Sequence, residues 1–274
     1  MKEMLKAGIS VGAEGFVSNI RPVCCALVFF AALALIGCGN KNSNEVVDHP
    51  PTAVVDPATA GTITGMVTLD GRPPVFHPID MSAEPACVKA NSTTVIPPVV
   101  VTGARGALAG VVVYAKSGLG RYRYDTPTQP AVLDQRGCMY DPRVLAVMIH
   151  QGLEVHNQDP TVHNIHATPR DNRSWNRSEE PGEPPFQTSF ARPELAIPIL
   201  CNIHPWMRAF LFVFDNPYFD VTSKSGTFQL KAIPPGTYTI AAWQEHYGTQ
   251  YQTVTLSSKG SKSIVFMFHT PPSH

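Results

Sequence analysis

The chain is short of charge and has no excess of either sign. Only 15% of its 274 residues are Asp, Glu, Lys or Arg, and the 21 basic residues balance the 21 acidic ones, where soluble domains usually carry roughly 25%. That balance supplies no basic face for a phosphate backbone, so no nucleic-acid partner is expected. A membrane-spanning run is missing as well: the apolar stretch from Val23 to Ile36 is too short and too abruptly ended. No Ser-His-Asp set and no phosphate-cradling loop can be picked out, and the chain is not expected to be an enzyme. What is abundant is turn chemistry. The 26 prolines and 20 glycines, set among short apolar runs, point to β structure, and the length allows one to two domains.

Residues 1–38 read as an export signal. Lys2, Lys6 and Arg21 precede the apolar run, which ends at Leu35-Ile36-Gly37-Cys38. This ending resembles the bacterial lipobox, which implies that Cys38 becomes the lipid-carrying first residue and that the protein is extracytoplasmic and membrane-tethered. A plain secretory signal with a coincidental Cys is the alternative. Gly39, where some lipoproteins have Asp, favours the outer membrane if the envelope is Gram-negative. Residues 39–60, with Pro50, Pro51 and Pro57, cannot build a core and read as a flexible tether.

The body begins with alternation. Ile63, Val67 and Leu69 share one face of a strand that closes at Asp70-Gly71, a second strand is expected over Ala109 to Ala115, and two more flank Pro234-Pro235-Gly236. Val144–Ile149 and Leu153–Val155 flank a His150-Gln151-Gly152 turn, whereas polar, Pro-rich Arg170 to Pro193 reads as a long surface excursion.

The residues with metal chemistry are Cys201, His204 and Met207 in Cys201-Asn202-Ile203-His204-Pro205-Trp206-Met207, with His163 some forty positions upstream in Val162-His163-Asn164-Ile165. A thiolate, two imidazoles and a thioether form the donor set of a mononuclear electron-transfer copper site, with Met as a weak axial ligand. Zinc sites favour Cys and His without thioether. His166 has the opposite strand parity to His163 and reads as an ordinary surface residue.

The Cys-x2-His-Pro-aromatic-Met loop resembles that of the cupredoxins, most closely the amicyanin type, over roughly residues 108–215. The resemblance implies a Greek-key β-sandwich and one type-1 copper ion held by His163, Cys201, His204 and Met207. It implies that Asn164 hydrogen-bonds across to the ligand loop, that Pro205 removes one N–H near the sulfur, and that the His204 edge is partly exposed in an apolar patch. Trp206 either belongs to that docking patch or packs onto the loop. Residues 61–71, together with Gly226-Thr227-Phe228-Gln229-Leu230 and Ile233-Pro234-Pro235-Gly236-Thr237-Tyr238, resemble the carboxypeptidase regulatory-like domain, a prealbumin-like sandwich. The expected fold is therefore all-β, with the sandwich in two parts (61–118 and 219–270) and the cupredoxin (119–218) between them. Two sandwiches in series is the competing layout. Reserving Cys201 for the metal leaves Cys87 and Cys138 as one possible disulfide in an oxidising compartment, or as two separate thiols.

Three functions follow. The leading one is a one-electron carrier serving an unidentified redox partner protein and tethered to the membrane by its lipid. The others are a copper carrier or scavenger, and a glycan- or protein-binding module with a vestigial metal site. A copper oxidase or nitrite reductase would need a second, His-rich centre, and the remaining histidines show no His-x-His spacing.

Overall fold

A computed structural model describes residues 53–271. The chain forms β1 (Gly61–Asp70), the short helix α1 (Pro85–Ala90), β2 (Val112–Ser117), β3 (Ala131–Arg136), β4 (Met139–Asp141) and β5 (Val144–Met148). It continues through β6 (Leu153–Asn157), β7 (His163–Ala167), β8 (Trp175–Glu179), β9 (Phe186–Thr188), β10 (Glu194–Leu200) and β11 (Arg208–Phe214). Five strands complete it: β12 (Phe219–Val221), β13 (Thr227–Ile233), β14 (Gly236–Gln244), β15 (Gly248–Leu256) and β16 (Ser261–His269). The fold is all-β. Among the described residues no helix is long and apolar enough to cross a membrane. The expected export signal, Cys38 and most of the expected tether lie outside the described residues.

The strands make four sheets, ordered β13-β1-β16, β12-β2-β14-β15, β5-β11-β10-β7-β8 and β4-β3-β6-β9. Strands from the two ends of the chain share the first two sheets. β1 runs antiparallel to β13 and parallel to β16, while β2 pairs with β12 and β14. The alternation read from the sequence fills their core: Ile63, Val67 and Leu69 of β1 meet Val113 and Ala115 of β2, Phe228 and Leu230 of β13, Tyr238 and Ile240 of β14, and Phe266 and Phe268 of β16. Gly65 has to be glycine, because a Cβ there would lie 2.2 Å from the Ile264 carbonyl oxygen. The expected strand at Ala109–Ala115 starts three residues later, after Gly110 turns the chain at φ +69°.

A second apolar layer joins this pair of sheets to the next. Leu211 and Val213 of β11 enter the core cluster that also holds Cys201 and Met207, while Phe212 and Phe214 point the other way, onto Val112, Tyr114 and Ala241. The run Arg208-Ala209-Phe210-Leu211-Phe212-Val213-Phe214 is continuously apolar after its first residue because both faces are covered. Trp243 closes the contact edge-on against Phe210 and Phe212, with centroids at 5.3 and 4.8 Å. Beside this layer Arg143 grips Glu245 through Nε at 2.6 Å and Nη2 at 2.9 Å, and donates from Nη1 to the Arg208 carbonyl at 3.1 Å.

The expected surface excursion at Arg170–Pro193 is corrected. It contains β8 and β9, which pair with β7 and β6 at the edges of two sheets. Trp175 packs on Phe186 and Phe190. Edge strands with one wet face carry polar residues, and this masked the pattern. The excursion is anchored by Glu194, only 5% exposed, which accepts hydrogen bonds from the amides of Arg170, Asp171 and Asn172 and from Asn172 Nδ2. Burial raises its pKa, but these four donors outweigh burial and hold it below the usual value. A depressed carboxyl pKa stabilises the fold above the unfolded pKa and loses that contribution as pH falls through the folded one. Glu194→Gln is therefore expected to destabilise the chain by about 1.5–3 kcal/mol at neutral pH, with the gap to wild type closing below about pH 4 in urea melts run across pH.

Candidate metal centre

Two segments build the site. β7 delivers His163 from its first position, and the turn between β10 and β11 delivers Cys201, His204 and Met207. The turn is tight because its backbone closes on itself: the Met207 amide donates to the His204 carbonyl at 2.9 Å, and the Cys201 amide donates to the Met207 carbonyl at 3.3 Å. Tyr140 clamps the two segments together, its one hydroxyl proton shared between the Asn164 carbonyl at 2.5 Å and the Leu200 carbonyl at 3.0 Å.

The donor atoms converge. His163 Nδ1 lies 3.0 Å from His204 Nδ1, Cys201 Sγ lies 3.8 Å from His204 Nδ1, and the ligand atoms of all three residues fall within 4.8 Å of one another. Two bonds of about 2.0 and 2.3 Å to one small ion place their far ends some 3 to 4 Å apart, so the spacing fits a single ion. Cys201 is a free thiol, and His163, His204 and Met207 are wholly buried. Met207 shares the core cluster of Cys201.

The surroundings prepare these donors. The amides of His204 and Asn164 point at Cys201 Sγ from 3.3 and 3.4 Å. Burial pushes the Cys201 pKa up, but the neighbouring His163 ring and these amides outweigh it, and the thiol ionises more readily than a free one. His204 is driven the other way, its pKa lowered by burial and by the neighbouring His163, which keeps an imidazole lone pair available. Burial also lowers the His163 pKa, but the hydrogen bond to Asp159 and the Cys201 sulfur outweigh it and the net shift is upward. Asn164 does reach across, its Oδ1 accepting from the Asn202 amide at 3.2 Å. Pro205 is exposed and donates nothing to the sulfur.

Asp159 is a site residue that the sequence reading passed over, although it stands four positions before His163. Its Oδ2 lies 2.8 Å from His163 Nε2. A carboxylate can only accept, so Nε2 carries the proton and Nδ1 faces Cys201 and His204. The same carboxylate accepts from the Gly137 and Cys138 amides at 2.7 and 2.8 Å. Those two residues form the turn between β3 and β4, both at positive φ (62° and 56°), as a two-residue hairpin turn requires. Asp159→Asn is expected to weaken metal binding by about 10–100-fold, to be read by competition against a chelator.

The expectation of an exposed His204 edge is corrected: His204 is 0% exposed. α1 lies over it. Cys87 Sγ is 3.8 Å and Glu84 Oε2 3.9 Å from His204 Nε2, and Cys87 is bonded to Cys138 as a disulfide. Trp206 is tied inward, half-buried with its ring 5.2 Å from that of His204 and its Nε1 donating to the Cys138 carbonyl at 2.9 Å. Ile203 and Pro205 are the loop's exposed apolar side chains. His166 faces Asn202 outside the cluster.

Comparison with known proteins gives a family-model match over residues 215–264, to domain II of polysaccharide lyase family 4, where the motifs resembled the carboxypeptidase regulatory-like domain. No curated protein matches the chain. Solved structures similar to part of the chain include a cupredoxin, an amicyanin and a copper-containing nitrite reductase. A purple cupredoxin from Nitrosopumilus maritimus shows 19% identity and TM-score 0.27, over 30% of this chain and 98% of that one. The oxidised state of a proline-to-alanine mutant of amicyanin shows 17% identity and TM-score 0.29, over 38% of this chain and 98% of that one. A copper-containing nitrite reductase from Thermus scotoductus SA-01 shows 17% identity and TM-score 0.31, over 36% of this chain and only 26% of the reductase.

Proposed function

We propose that the chain holds one copper ion with His163, Cys201, His204 and Met207, and that it carries single electrons on the outer side of a bacterial membrane, tethered through Cys38, to a redox partner protein. The observation behind this reading is the meeting of two imidazole Nδ1 atoms and a thiol sulfur in one buried space, with Met207 buried in the same core cluster as Cys201. A bound copper ion would supply a one-electron couple, both states of which this mixed soft and borderline donor set accepts. The protein's part is to hold the donors still. Asp159 fixes the His163 ring, two amides fix the Cys201 sulfur, Tyr140 locks β7 to the loop, and burial keeps water out. We also read residues 61–118 and 219–270 as one sandwich with the metal-bearing segment 119–218 inserted, supported by the pairing of β1 with β16 and of β2 with β14.

The covered His204 edge favours a second reading, a copper carrier that guards its ion. Loading the chain with Cu(II) and recording visible absorption and electron paramagnetic resonance separates the two. Electron transfer predicts an intense thiolate charge-transfer band and narrow copper hyperfine splitting. A colourless protein that holds only Cu(I) would reject it in favour of carriage.

A further inference from the structure

His204 presents its two nitrogens to two different sets of donors. Nδ1 faces His163 and Cys201; Nε2 faces Cys87, with Cys138 bonded to it and Glu84 beside it. Cys87, Cys138 and His204 form a buried group whose ligand atoms lie within 4.8 Å of one another, and the Cα atoms of the two cysteines are 5.5 Å apart. We propose that the Cys87–Cys138 pair is a redox-controlled second metal site: as a disulfide it caps His204, and as a dithiol it binds Cu(I) with help from His204 Nε2 and the Glu84 carboxylate. The site goes beyond the function proposed above and rests on it only in taking copper as the ion.

Two thiolates with an imidazole are a soft set that selects Cu(I). Sulfurs carried on Cα atoms this close can both reach one ion through bonds of about 2.3 Å. Glu84 differs from the other donors in being about one-third exposed, its side chain at 37%, so the group has an outlet to solvent. Access follows from the weakness of the covering segment. α1 has six residues, no side-chain cap at its N-terminus and an exposed outer face that includes Val88 at 51%. Apart from the disulfide, the hydrogen bond that ties it to the β3–β4 turn among the described residues runs from Asn91 Nδ2 to the Gly137 carbonyl; the same nitrogen also donates back to the Cys87 carbonyl of α1 itself. A segment with so few ties opens locally at low cost and admits a small dithiol.

The reaction balances without redox change at copper. An external dithiol gives up two electrons and two protons and closes to its own disulfide. The Cys87 Sγ–Cys138 Sγ bond breaks, and each sulfur gains one electron and one proton. Cu(I) then displaces the two thiol protons to solvent, and where His204 Nδ1 already holds the first ion the Nε2 proton leaves as well, so that the ring bridges as an imidazolate. An ion held there is separated from the His163–Cys201 set by one imidazole ring.

The test is stoichiometry. Metal-free protein, reduced with dithiothreitol and freed of it by gel filtration without oxygen, is titrated with Cu(I) against bicinchoninate beside the unreduced protein. Reduction is expected to add one tightly held equivalent per chain, in wild type and in Cys201→Ser alike, and to add none in Cys87→Ser/Cys138→Ser. Copper-edge X-ray absorption of reduced Cys201→Ser should show sulfur neighbours at about 2.3 Å. No gain on reduction in a chain whose circular dichroism is unchanged would overturn the proposal, and so would unfolding on reduction, since the dithiol form has to stay folded. A wild type without the visible band would instead count against the first centre and leave this stoichiometry standing.

Discussion

Cys201→Ser is expected to abolish the thiolate-to-copper absorption altogether and to lower copper affinity by more than the roughly 10–100-fold attached to residues that only orient ligands. The serine hydroxyl stays protonated where the thiol ionises, and it is a hard donor where the reduced ion prefers a soft one. The two Nδ1 atoms 3.0 Å apart remain, so a weaker, nearly colourless complex with ordinary copper hyperfine splitting should replace the coloured one. The sulfur lies under two amides in a closed space, so the near-isosteric hydroxyl should leave the fold intact, and circular dichroism should be unchanged. A band of wild-type intensity in Cys201→Ser would show that the colour arises elsewhere.

The second large effect is on stability. Arg143 and Glu245 form a two-pronged ion pair whose side chains are 13% and 9% exposed, between the sheet that supplies the ligand loop and the sheet that contains β2 and β14. Removing one partner strands the other charge in a poorly solvated place, at a cost of about 3 kcal/mol, the lower end for buried pairs because both groups keep some water. Arg143→Ala should cost more than Glu245→Ala, since the guanidinium also satisfies the Arg208 carbonyl. The double variant Arg143→Met/Glu245→Leu should recover most of the loss, because two apolar side chains leave no unpaired charge. Denaturant melts of these proteins together with Arg143→Ala/Glu245→Ala, which closes the double-mutant cycle, measure the coupling; losses below about 0.5 kcal/mol for both single variants would place the pair among surface ion pairs of little consequence.

The parts of the site written locally were legible in the sequence. Cys201, His204 and Met207 stand close together, and one tight turn brings their backbones into register. Strand alternation in Ile63, Val67 and Leu69 and in Phe228 and Leu230 announced a sandwich core, since a face buried on one side leaves a period of two. Position in space was harder to read. Phe210, Phe212 and Phe214 reveal a second buried face only once β2 and β14 are seen opposite them. The pairing of β8 with β7 was hidden by polar residues on its wet face.

The covering of His204 was the least legible feature. Glu84 and Cys87 stand more than a hundred positions before His204, and nothing in the spacing of Cys87 and Cys138 states which surface their bond closes. Asp159 lay within reach. An acid four positions before a metal-capable histidine, in the connection that carries the chain from β6 of one sheet to β7 of another, is placed to meet the far nitrogen of that ring, and the β3–β4 turn with its two positive-φ residues supplies the amides that hold it there.

The most direct measurement is a copper-loaded crystal with anomalous-difference density collected at the copper edge. The account predicts one strong peak in the space ringed by His163 Nδ1, His204 Nδ1 and Cys201 Sγ, within bonding distance of all three. A principal peak on the outer Nε2 edges, or none at full occupancy near Cys201, would contradict it.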